Sequence, residues 1–158
     1  MKRIFSSALI WPYAKRFIRA VQILQKKDIP TVQVINTYKV PSIKRDLIIY
    51  QPLEGQSLRD LMDDKNYRKK LVLQFASFLA HLHNSGIYFR AMHFNNVIVT
   101  SQGEFGLIDV TDFFYSSGPL NRFKRVRNFK PILHYKEDRQ AIASVSVELF
   151  LDKYVEKA

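Results

Sequence analysis

The stretch Gly86-Ile87-Tyr88-Phe89-Arg90-Ala91-Met92-His93-Phe94-Asn95-Asn96, with Leu107-Ile108-Asp109 shortly after it, decides how this chain is read. Gly86 follows a helical pattern at the place where a left-handed stop favours a residue without Cβ. Residues 97–100 (Val-Ile-Val-Thr) and 105–108 (Phe-Gly-Leu-Ile) are short apolar runs on either side of Ser101-Gln102-Gly103-Glu104, which predicts a hairpin. Asn96 and Asp109 therefore flank one tight ribbon turn with two oxygen-bearing side chains. Singly, each is ordinary, because Asp after a strand forms turns and Asn caps.

Residues 66–84 predict a long helix with Leu71, Phe75, Phe78, Leu79 and Leu82 on one face. Near the start, Ala14, Phe17, Ile18, Val21 and Leu24 recur at three- and four-residue spacing, predicting an amphipathic helix over 12–27. Asp28-Ile29-Pro30 ends it, since the residue before proline is pushed out of the helical region. Residues 31–40 and 47–50 predict two pairing strands with Pro41-Ser42 as punctuation. Gln51-Pro52-Leu53-Glu54-Gly55 breaks that pattern, and Ser57-Leu58-Arg59-Asp60 resembles a capping box opening a short helix. Beyond Asp112 the chain is expected to return to helix, a basic one over 121–134 and an amphipathic one over 137–154. This order is that of an α+β protein.

The 158 residues suffice for one domain with its own core, and an apolar fraction of 47% argues against disorder. Cysteine is absent, which excludes disulfides and thiolate metal sites. No apolar run reaches the length of a membrane-spanning helix. The opening Met1-Lys2-Arg3-Ile4-Phe5-Ser6-Ser7 stretch lacks a cleavage site, so export is not expected. A net charge of +11 points to anionic partners: phosphorylated glycolipid, a membrane surface or nucleic acid.

With these residues in view, the loop resembles the catalytic loop and metal-binding turn of protein-kinase-like phosphotransferases, which run His-Arg-Asp, four residues, then Asn. Phe89-Arg90-Ala91 stands at the triplet, Asn96 at the Asn, and Asp109 where the metal-binding Asp falls. The chain as a whole is similar to the lipopolysaccharide kinase family, bacterial enzymes that phosphorylate Kdo or heptose of the lipopolysaccharide core, in the branch labelled toluene tolerance proteins. The likeness is specific from residue 82 to 112. Elsewhere it rests on element order and on Asp28-Ile29-Pro30 and Pro52-Leu53-Glu54-Gly55-Gln56-Ser57-Leu58.

The resemblance implies a protein-kinase-like fold, with residues 1–54 a truncated N-terminal nucleotide lobe ending at the hinge and 55–158 a mainly helical C-terminal lobe. ATP and Mg2+ are the implied cofactors, with Asn96 and Asp109 as metal ligands. Backbone groups near Gln51 and Leu53 would meet adenine, and Lys2 would meet phosphate. Arg90 is expected to pair with charge in the activation segment or with a local carboxylate. His93 is expected to contact phosphate or to hold the loop. Lipopolysaccharide core or another anionic glycolipid is the implied partner, at a cytoplasmic location peripheral to the inner membrane.

Three departures bear on catalysis. Ala91 occupies the position of the catalytic Asp and cannot orient an attacking hydroxyl; Asp112 is the one nearby stand-in. No glycine-rich phosphate loop occurs. Arg19 lies where the Glu that pairs with the phosphate-binding Lys is expected. An incomplete nucleotide lobe would expose a sheet edge and an apolar face, inviting a protein partner that completes it. Two readings follow: an impaired phosphotransferase, or a pseudokinase or nucleotide-binding module without turnover. A nucleic-acid-binding domain has the charge but no helix-turn-helix, RNA-recognition or zinc signature, and is disfavoured.

Overall fold

The computed structural model describes residues 13–158. Helix α1 (Tyr13–Lys26) buries Ala14, Phe17, Val21 and Leu24 of the stripe its spacing predicts, with Ala20 beside them and Ile18 half-buried. Asp28 ends it at a left-handed φ of 55°. The chain then turns onto the body of the protein. The Leu107 amide donates to the Pro30 carbonyl (2.9 Å), and Thr31 Oγ1 donates to the Leu107 carbonyl (2.7 Å). Strands β1 (Gln33–Val40) and β2 (Arg45–Gln51) form an antiparallel pair with a bulge between Val34 and Asn36. Val34 and Ile48 are half-buried against the core, whereas Ile35, Tyr38, Leu47 and Ile49 remain exposed.

After the break at 52–55, β3 (Gln56–Ser57) joins β5 (Val97–Val99) and β6 (Phe105–Leu107) in a sheet of order β3-β5-β6. Gly55, at φ 146°, lies so close to this sheet that a Cβ would collide with the Val99 carbonyl. Helix α2 (Leu58–Leu61) opens as its capping sequence predicts, with Ser57 Oγ accepting the Asp60 amide (3.2 Å). Helix α3 (Lys65–Asn84) is the central element of the core. Phe75, Leu79 and Leu82 are fully buried on it. Phe75 meets Phe94 edge-on at 5.0 Å and stacks with Phe150 at 6.3 Å. Burial of a ring this size stabilises by about 2–3 kcal/mol relative to exposure.

The structure departs from expectation in two places. Before the chain returns to helix, β7 (Phe113–Tyr115) pairs with β4 (Ile87–Phe89), in register Phe89 with Phe113. The last helix is not continuous. It divides into α5 (Lys136–Val145) and α6 (Val147–Lys157), after α4 (Arg122–His134). Ser146 makes the break at φ 135°, its hydroxyl accepting the Leu149 amide (3.3 Å). A serine hydroxyl offers the backbone this alternative to a continuing helix. The new axis carries Phe150 and Tyr154 into the core. Among the described residues, no helix is long and apolar enough to cross a membrane.

Candidate functional site

Asn96 and Asp109 are brought together by the ribbon that they flank. Val97 pairs with Leu107, and just beyond that pair the Ile108 amide donates to the Asn96 carbonyl (3.1 Å). Asp109 follows at φ 53°, a left-handed conformation that Asp and Asn tolerate better than most residues. Asp109 lines a cleft of about 970 Å³ between α1, β2 and the β5–β6 ribbon. Val32, Ile48, Leu53, Ile98 and Ile108 supply apolar walls, Arg16, Lys44 and Arg45 add positive charge, and Asp46 joins Asp109 as a second carboxylate. Leu53 thus lines the same cavity as Asp109, while Gln51 is exposed at the end of β2 and not among its lining residues. Lys2 lies outside the described residues.

The loop between β4 and β5 is held from within. Asn96 Nδ2 donates to the Ala91 carbonyl (3.0 Å) and meets His93 Nε2 (3.1 Å). A carbonyl only accepts, so the atom facing Ala91 must be the amide nitrogen, which assigns the orientation of the Asn96 side chain. Both amide hydrogens are then directed into the loop, and the side-chain oxygen is the donor left for a cation. The same geometry makes His93 Nε2 an acceptor and places the ring proton on Nδ1. Burial lowers the His93 pKa, the nearby Asp138 carboxylate opposes the shift, Arg59 adds to it and Asp109 opposes it. Through its bond to Asn96 the ring helps hold the loop.

Arg90 pairs with Asp112, Nε to Oδ1 at 3.0 Å, with both side chains about half exposed. The Arg90 amide also donates to the Asp112 carbonyl (3.0 Å). The carboxylate in the segment after Asp109 and the local carboxylate expected for Arg90 are thus one residue. That pairing engages Asp112, the stand-in expected for the carboxylate that Ala91 lacks.

Three further buried polar residues, Asp138, Asn128 and His83, support the loop. Asp138, fully buried on α5, accepts from Arg59 Nε (2.9 Å) and Nη2 (2.7 Å) through one oxygen and from the Phe94 amide (2.8 Å) through the other. Tyr135 completes the corner, with its ring 4.7 Å from that of His93 and 4.7 Å from the Arg59 guanidinium. On the other side, Asn128 Nδ2 donates to the Phe89 carbonyl (2.7 Å), and its oxygen faces His83 Nε2 (3.0 Å). His83 Nδ1 in turn meets the Tyr154 hydroxyl (2.7 Å). Burial pushes the His83 pKa down to about 4; the Asn128 bond opposes this and the Arg125 charge adds to it. One signal of these roles was present in sequence: Asp138 and His83 each sit on the apolar stripe of a helix, where a polar group needs a partner.

No protein-family model matches the chain, and no curated protein matches it significantly.

Proposed function

We propose that this protein is an ATP-dependent phosphotransferase of the lipopolysaccharide-core sugar kinase type, with turnover reduced by Ala91. In this reading the fold is protein-kinase-like. Helix α1 and the β1–β2 pair form a short nucleotide lobe, and residues from the hinge onward form the helical lobe. The single observation that carries the proposal is the cleft that Leu53 and Asp109 line together, with the Asn96 carbonyl bonded to the amide of Ile108, the residue before Asp109. Apolar walls suit adenine, and the cations at Arg16, Lys44 and Arg45 suit its phosphates. Asp109 and the free oxygen of Asn96 are hard donors of the kind Mg2+ takes, and the ion when bound would neutralise phosphate charge. The chain's own contribution is positioning. His93 and the Ala91 carbonyl orient Asn96, while Asp138 fixes Phe94 beside it. The exposed apolar residues of β1 and β2 are where a protein partner would complete the short lobe. The acceptor would be lipopolysaccharide core or another anionic glycolipid, reached at the cytoplasmic membrane surface.

One observation favours a second reading. Ala91 has no side chain to orient a hydroxyl, and Asp112 is paired with Arg90, which suits a nucleotide-binding pseudokinase. Thermal unfolding with ATP, with and without Mg2+, tests the nucleotide site; a metal-dependent rise that Asp109→Asn removes is expected. The absence of any rise refutes both readings. ATP turnover on core oligosaccharide then separates them.

A further inference from the structure

Helix α4 turns a face to solvent that its inner contacts do not explain. Arg122, Phe123, Val126, Arg127, Lys130 and Leu133 are all exposed, Phe123 to 72% and Val126 to 63%. At 3.6 residues per turn they fall within an arc of about 140°. Within that arc lie three apolar side chains, three cations and His134. No Asp or Glu occurs between Asp112 and Glu137, so no carboxylate on the segment neutralises the face.

We infer that this face of α4 docks on an anionic lipid bilayer, with Phe123, Val126 and Leu133 entering the interface and Arg122, Arg127 and Lys130 reaching lipid phosphates. Interfacial helices combine these two residue classes, and long basic side chains lay their stems along apolar surface while their heads reach water and phosphate. Nucleic acid would use the charge but not the aliphatic residues, because Val126 and Leu133 have no ring on which a base can stack. The inference deepens the proposal of a membrane-borne acceptor and rests on it for the biological surface, though the chemistry of the face stands by itself.

The placement also links the bilayer to the site. From its inner side, α4 holds the Phe89 carbonyl through Asn128, at the start of the Arg90–Asn96 loop. At its N-terminal end, Lys124 Nζ sits 3.7 Å from the ring centre of Phe114 in β7, the strand that follows Asp112. Helix α4 thus supports the loop on one side and offers the membrane its other.

The test is co-sedimentation of the full chain with phosphatidylcholine vesicles, plain or doped with phosphatidylglycerol. Binding is expected only to the doped vesicles. Replacing Arg127 and Lys130 together by Gln should weaken it about thirtyfold, at the strength typical of a basic residue near an anionic surface. Phe123→Ser should weaken it about tenfold, with little dependence on salt. All these side chains are exposed, so circular dichroism and thermal unfolding should match the parent. Equal binding to plain vesicles, or full binding by both variants, overturns the inference. DNA binding lost with Arg127 and Lys130 but not with Phe123, without vesicle binding, also overturns it and assigns the face to nucleic acid. ATP binding measured on the same samples keeps the two proposals apart. Mg2+-dependent stabilisation without vesicle binding sinks only the docking face, and the reverse sinks only the nucleotide site.

Discussion

Acid should unfold this protein partly through one ring, His83. The imidazole is fully buried, with Nε2 donating to Asn128 and Nδ1 accepting from the Tyr154 hydroxyl. A proton added at Nδ1 would face that hydroxyl, which already lies 3.4 Å from Arg125 Nη1, and would place a charge where water does not reach. The folded pKa is about 4, against 6.5 for an unburied histidine. Between these values the unfolded chain binds a proton at this ring that the folded chain does not. Stability therefore falls as pH drops through 6.5 towards 4, and the full contribution is present only above that window. At 1.36 kcal/mol for each pKa unit the loss approaches about 3 kcal/mol, a large part of the 5–15 kcal/mol typical of a domain. The assay is urea unfolding at a series of pH values for the parent and for His83→Gln, which keeps a donor and an acceptor but cannot titrate. Carboxylates common to both chains cancel in the difference. The parent's advantage should shrink by about 3 kcal/mol from neutral pH to pH 4. Parallel stability curves would rule out this role for His83, as would an NMR titration of the ring with a midpoint near 6.5.

Asp109→Asn removes a charge but keeps a residue that accepts φ 53°, so unfolding without ligand should shift little while Mg2+-dependent stabilisation by ATP disappears. Ala91→Asp restores the carboxylate expected at that position and should raise ATP turnover on core oligosaccharide by about 10²–10⁴-fold; unchanged turnover favours the pseudokinase reading. Asp138→Ala leaves Arg59 and the Phe94 amide without their partner and should cost about 3–5 kcal/mol in chemical denaturation. Asp138→Asn, which still accepts from Phe94, should cost less. Gly86→Ala should destabilise by about 2 kcal/mol or more, because φ is 79° and a Cβ would strike the Ser116 and Gly118 carbonyls.

What could be read without coordinates was whatever depends on near neighbours in the chain. Helices α1 and α3 declared themselves through apolar residues three and four apart, and Gly86 and Ser57 through the backbone chemistry of helix ends. Asn96 and Asp109 could be placed at one ribbon because the runs between them are short and strand-like, with a turn between. The β4–β7 pair was not legible. Each strand has three residues, and its partner lies far along the chain, so neither hydrophobic period nor turn chemistry marks it. The same holds for the break at Ser146, where a cap hydroxyl prevails over an amphipathic pattern that runs straight through.

Local spacing and composition were enough for helices α1 and α3, the hairpin, the net charge and the two oxygen-bearing side chains beside that hairpin. Only the tertiary structure decided that Arg90 engages Asp112, that Asn96 turns its nitrogen inward, and that Asp138 and His83 hold the loop from opposite sides. A buried polar group takes its role from the partner that folding delivers to it, and in this protein most of those partners lie more than thirty residues away.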